Sequence, residues 1–143
     1  MWSFFYFFQK VLLTLFEMIK VFDFCILKFY DKYVISIVNE GVIITKEKSD
    51  MISETAINYY QGKPFVYITH RIHSYSVDPN VFHDVSKIKN LAGFVVVSDN
   101  KSSIKSALLE KVFLDKPFQI FSNIEDGILW ATNAHAEHKE INQ

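Results

Sequence analysis

The run Phe65-Val66-Tyr67-Ile68-Thr69 and the later run Leu91-Ala92-Gly93-Phe94-Val95-Val96-Val97 decide how this chain folds. Both are short, apolar and rich in β-branched residues, and both are bounded by polar or turn-forming residues, which marks strands rather than helices. The second run is apolar almost without a break, as expected of a strand covered on both faces. Between and after them lie helical patterns, and a further short run, Phe118 to Phe121, follows Lys116-Pro117. Strands alternating with helices predict an α/β fold with a parallel sheet and covering helices.

Upstream, Phe24 to Phe29 and Tyr33 to Val38 flank the turn Tyr30-Asp31-Lys32 and predict a β-hairpin. Asn39-Glu40-Gly41 ends its second strand, and Val42 to Ile44 either prolongs that strand or leads into the next helix. Lys46 to Tyr60 carries Met51, Ile52, Thr55, Ala56 and Tyr59 at helical spacing, and Gln61-Gly62 stops it, with the glycine suited to a left-handed cap. Pro64 stands at a strand entrance, where a missing amide donor does least harm.

Asp78 and Pro79 predict the cap and first position of a second helix, with Val81, Phe82, Val85 and Ile88 on its apolar side. A third helix is expected from a cap at Ser102 or Ser103 to Phe113, with Ile104, Ala107, Leu108, Lys111 and Val112 in register. Ser122 or Asn123 caps a last helix through Ile124, Ile128, Leu129 and Trp130, and the chain beyond Ala134 reads as a polar, frayed tail. The expected order is β-β-α-β-α-β-α-β-α.

With 143 residues and 50% apolar content, the chain suits one domain with a real core. Residues 21–134 form that domain, 1–20 a hydrophobic N-terminal segment and 135–143 the tail. A formal charge of -1 with dispersed lysines gives no field for nucleic acid. Cys25 is the single cysteine, which excludes an internal disulfide and fits a cytoplasmic or membrane-face setting. The N-terminal segment lacks the charge and cleavage site of a secretory signal, and Gln9, Lys10 and Glu17 interrupt it as a membrane span. Three readings stay open for it: an interfacial membrane contact, a helix packed on the domain or joining two copies, or an upstream extension of a chain starting at Met18.

Lys63-Pro64-Phe65-Val66-Tyr67-Ile68, Arg71-Ile72-His73-Ser74-Tyr75-Ser76, Leu91 to Val97, Ser103 to Phe113 and Lys116-Pro117-Phe118-Gln119-Ile120-Phe121 together resemble the STAS family. Within it the chain resembles the small STAS-like (STAS/SEC14-like) proteins of Bacteroidetes-type bacteria, related to anti-sigma-factor antagonists. The resemblance implies a mixed sheet of four to five strands, an N-terminal hairpin and about four helices, largely on one side. It also implies binding and regulation rather than catalysis. Antagonists of this family carry a phosphorylatable serine where the central strand passes into a helix. The matching stretch here is Tyr75-Ser76-Val77-Asp78-Pro79, with Val77 or Asp78 at the serine's place, so the usual phosphorylation switch is not expected. Ser74 and Ser76 read as capping or loop residues.

No chemistry-bearing cluster stands out. His70, His73 and His83 do not offer the three or four ligands of a zinc site, and His135 and His138 fall in the tail. A hydrolytic set built on Ser74 or Ser76 with His73 or His83 and Asp78 or Asp84 lacks any nucleophile-elbow pattern. Isolated glycines exclude a phosphate loop or dinucleotide fingerprint. No enzyme activity, metal or cofactor is therefore expected. The loop from Arg71 to Asp78 follows the central strand, and Arg71, His73, Tyr75, Ser76 and Asp78 are its candidate interaction residues. There Arg71, the sole arginine, would form an ordinary surface salt bridge or meet an anionic ligand or a partner's carboxylate. The leading expectation is a regulatory protein-interaction module with an unidentified protein partner, homodimer pairing remaining open. The alternative is a lipid or small-ligand binder that touches a membrane surface through its N-terminal segment.

Overall fold

The computed structural model describes residues 3–6 and 19–142. Most of the hydrophobic N-terminal segment lies outside the described residues; residues 3–6 are helical and exposed. The domain opens with strands β1 (Ile19–Val21), β2 (Cys25–Phe29), β3 (Tyr33–Val38) and β4 (Ile43–Ile44). Helix α1 (Lys46–Tyr60), β5 (Phe65–His70), β6 (Ser76–Val77), α2 (Val81–Val85) and β7 (Leu91–Val97) follow. Helix α3 (Lys101–Phe113), β8 (Phe118–Phe121) and α4 (Ile124–Ile141) complete it.

The fold is α/β, as the alternating pattern predicts. Its main sheet has six strands in the order β1-β2-β3-β5-β7-β8, antiparallel from β1 to β3 and parallel from β3 onward. Six rather than four or five result because Ile19–Val21 adds an edge strand to the hairpin. β4 and β6 form a separate two-stranded parallel ladder. The hairpin register sets Cys25 opposite Val38 and Phe29 opposite Val34, with Tyr30 donating to the Tyr33 carbonyl across the turn.

Alternation along the strands sorts side chains to two faces. Val34, Val38 and Phe65 pack with Ile52, Ala56 and Tyr60 of α1. Phe94 and Val96 meet Val81 and Phe82 of α2, Ala107 of α3 and Leu114. On the opposite face Ile35, Val66, Ile68, Val95 and Val97 meet Ala131 and Ala134 of α4. Three helices thus cover one face and one covers the other, so β7, buried throughout, is apolar on both sides. Each such valine, leucine, isoleucine or phenylalanine contributes about 1.5–3 kcal/mol of burial.

Several local readings shift. Gln61, not glycine, takes the left-handed cap of α1, with φ 50° and ψ 49°, and Gly62 follows at φ +84°. Asn100 caps α3 instead of Ser102 or Ser103: its Oδ1 accepts from the amides of both serines. Asp78 accepts the Asn80 amide at 3.0 Å, but Asn80 rather than Asp78 holds the cap position, Pro79 precedes it, and α2 runs only from Val81 to Val85, short of Ile88. The expected tail is helical. α4 runs to Ile141, with Glu125 and Asp126 in its first turn and His138 and Lys139 in its last, the charge order that favours the helix dipole. His135 and His138 are half-buried rather than solvent-facing, and His138 Nε2 lies 3.2 Å from the Lys89 carbonyl.

Candidate functional site

Arg71 continues the β5 ladder one residue past its end, its amide donating to the Val97 carbonyl at 2.8 Å. Strand alternation then sends its side chain to the face already taken by Phe65, Tyr67 and Thr69. The chain folds back over that face because the β4–β6 ladder pins it: Ser76 donates to the Val42 carbonyl and Asp78 to that of Ile44. Tyr75 is laid across the sheet as a result.

A buried polar network forms there. The Thr69 hydroxyl and Tyr75 hydroxyl are 2.5 Å apart, and Arg71 Nε donates to the Tyr75 hydroxyl at 3.1 Å. Arg71 Nη2 donates to Glu110 Oε2 of α3, an ion pair whose residues are only 7% and 8% exposed. Nearby, the Tyr67 hydroxyl donates to Ser36 Oγ at 2.7 Å. Burial raises the Tyr67 and Tyr75 hydroxyls above the ordinary tyrosine range. Burial likewise raises the Glu110 carboxyl, against the pull of Arg71. For the guanidinium, burial disfavours the cation, but Tyr75 and Glu110 outweigh it and the group is held more firmly protonated.

The five candidate loop residues therefore part company. Arg71 and Tyr75 turn inward and are structural partners of the sheet and of α3; the expectation of a surface salt bridge at Arg71 does not hold. His73, Ser76 and Asp78 face outward or lie at the rim. His73 Nδ1 is 3.8 Å from Glu40 Oε2, and the Ser74 amide donates to the same carboxylate. Neither the Ser74 nor the Ser76 hydroxyl is hydrogen-bonded to a histidine among the described residues. His70 belongs to the α4 side, where burial lowers its pKa, and His83 is exposed on α2. Among the described residues no three His, Cys, Asp or Glu side chains gather as metal ligands.

Beside the network lies a cavity of about 60 Å³ between α1, α2 and the sheet. Its wall is mainly apolar, with Ile52, Ala56, Phe65, Val81, Phe82 and Leu91 among its members. Ser49, Ser53, Tyr67, Arg71 and Tyr75 supply its polar groups.

Periodicity gave no warning of how α3 lies. Its expected inward register included Leu108, Lys111 and Val112. Of that register the structure buries Ala107 and half-buries Ile104, adds Glu110 to the inner side, and leaves Leu108, Leu109, Val112 and Phe113 at 54%, 65%, 78% and 56% exposure. Lys101, Lys105 and Lys111 are exposed on the same helix, while its sole acidic residue, Glu110, is held beneath by Arg71. An outward helix surface results that is both apolar and positively charged. The signal for it in sequence was the pairing of a lone arginine with a glutamate inside an apolar helix, which fixes the inward side only once both are seen to be buried.

None of the described helices is long and apolar enough to cross a membrane. Comparison with family models, with curated proteins and with solved structures finds no match to this chain.

Proposed function

We propose that this protein is a non-catalytic, STAS-like regulatory module of the cytoplasm that engages a partner protein through the outward face of α3. The observation carrying this reading is the exposed apolar face of that helix. A monomeric domain has no use for four large apolar side chains, more than half exposed on one helix, while a glutamate occupies the buried side. Such a patch marks an interaction surface. Lys101, Lys105 and Lys111 around it favour a partner surface that is apolar at its centre and acidic at its rim, since complementary charge selects partner and orientation.

Cross-linking in native cells through lysines, followed by peptide mapping, tests this reading. Lys101, Lys105 and Lys111 should carry the links to one acidic partner, and Val112→Asp should abolish them while the variant stays folded. Links that persist in Val112→Asp, or that map only to the His73 loop, overturn the assignment. Links joining two copies at α3 would make the chain its own partner.

A further inference from the structure

α4 closes its side of the sheet from β3 onward, where Ile35, Val66 and Ile68 meet Ala131 and Ala134. The β1–β2 end of that side has no helix over it among the described residues. Strand register shows what lies there. Ile19 stands opposite Lys28, Val21 opposite Ile26, and Ile26 opposite Ile37. Paired residues of an antiparallel ladder share a face. Lys28 is paired with Ile35, which packs toward α4, so the whole set points to the α4 side. Ile19 and Val21 are 46% and 66% exposed, and Ile26 and Ile37 are half-buried. Four β-branched apolar side chains thus form a shelf beside α4.

The edge next to this shelf is ill suited to the strand of a second copy. β1 is three residues long with Lys20 at its centre, features that keep an edge from pairing. Nor does charge favour anionic lipid, because Lys20, Lys28 and Lys32 are offset by Asp23, Asp31 and Glu40 in and beside the same strands. The chain itself supplies an occupant. Residues 7–18 lie outside the described residues and lead directly into Ile19, at the rim of the shelf. Eight of these twelve are apolar, whereas Lys10, Thr14 and Glu17 recur at spacings of four and three. On a helix that spacing gathers the polar three into one stripe and sets Phe8, Leu12 and Leu15 opposite it. Twelve helical residues extend about 18 Å, close to the ~17 Å of a five-residue strand such as β2. A helix about 10 Å across also spans two strands spaced ~4.8 Å apart.

We propose that the open hairpin face is the docking site of residues 7–18, which form an amphipathic helix seated there through Phe8, Leu12 and Leu15. Of the three readings open for the N-terminal segment, this is the helix packed on its own domain. The seat has β2, β3 and β5 between its rim and the strands that carry α3, so it is independent of partner docking at that helix.

Photocross-linking in the full chain tests it. Benzoylphenylalanine replaces Phe8, or Lys10 as the outward control, and labelled and unlabelled chains are mixed so that peptide mapping separates links within a chain from links between chains. From Phe8, links within one chain should reach peptides holding Val21, Ile26 and Ile37; from Lys10 they should not. Val21→Asp, at an exposed position, should remove most of these links, and Lys20→Asp, on the other side of β1, should leave them; thermal melts check that both variants stay folded. Equal labelling from Phe8 and Lys10 would mean an unseated tether and overturn the proposal, as would the absence of links to the shelf. Links between chains would make a second copy the occupant. Links that vanish on adding vesicles of phosphatidylcholine and phosphatidylglycerol would make it lipid, and either result overturns the assignment.

Discussion

Against α4 the sheet meets its helix so closely that a Cβ on Gly127 would stand 2.9 Å from Val97 Cγ2 and 3.3 Å from Val95 Cγ1. On the opposite face α3 rests on Ala107 and Glu110, a cavity remains beneath α1 and α2, and polar side chains run through the interior. Both faces belong to the same strands and differ only in which alternate residues they present. One side has been closed for stability. The other carries a charged pair, a cavity beside it and a helix with an apolar face turned to solvent, features that stability alone does not call for. Function is to be sought where packing is least economical.

The contrast is broken most severely at Arg71. Replacing it alone by Met strands Glu110 in an apolar setting and should lower unfolding free energy by about 3–5 kcal/mol. Replacing both partners by Met should restore most of that loss, because a buried pair can be exchanged for apolar groups at little net cost. Urea titration of wild type, single and double variants decides; a single variant as stable as wild type would show that the pair does not hold α3.

On the closed face, Gly127→Ala tests how tight the contact is. Alanine favours a helix by about 1 kcal/mol over glycine. The new methyl group meets a β-branched valine fixed in a buried strand, and overpacking of this kind costs about 1–3 kcal/mol. A net loss of stability is expected on thermal melting, and a gain would mean that α4 stands further from β7.

A smaller effect separates the faces by pH. The Glu110 carboxyl lies above its ordinary value near 4.5 because burial disfavours its charge. The folded state therefore binds this proton more tightly than the unfolded chain, so the stability it contributes is fully present below pH 4.5 and is lost as pH rises through the folded value. Relative to Glu110→Gln, wild type should weaken as pH is raised across that window. The opposite slope would mean that Arg71 dominates the carboxyl.

The least change in stability is expected at the outer surface. Leu109→Ser or Val112→Ser should alter unfolding free energy by no more than about 0.5 kcal/mol. Circular dichroism melts check this, and a large loss would mean that α3's outer face is structural.

Legibility followed the same division. Leu91 to Val97, Lys46 to Tyr60 and Phe118 to Phe121 appear in the structure with the limits read from sequence, because their apolar periods agree with burial. α3 was located along the chain and Ala107 placed inward, but Leu108, Lys111 and Val112 were wrongly set beside it, since an apolar stripe is ordinarily buried and nothing local reveals that Glu110 finds Arg71 thirty-nine residues away. Tyr75 and Arg71 read as interaction residues of an exposed loop, and their burial depends on the two-residue ladder of β4 with β6, too short to announce itself. Residues 135–141 looked like a tail because their composition is polar; their helix is set by its attachment to Ala131 and Ala134, not by an apolar stripe of its own.

Cys25 sits wholly buried at the start of the hairpin, and burial together with nearby Asp23 raises its thiol to about 12. At neutral pH it is neither ionised nor reachable, so a thiol reagent has to wait for the hairpin to part from α1. Being the chain's single cysteine, it reports one event only. Its modification rate is a clock for spontaneous opening of this domain, read without any label being engineered into it.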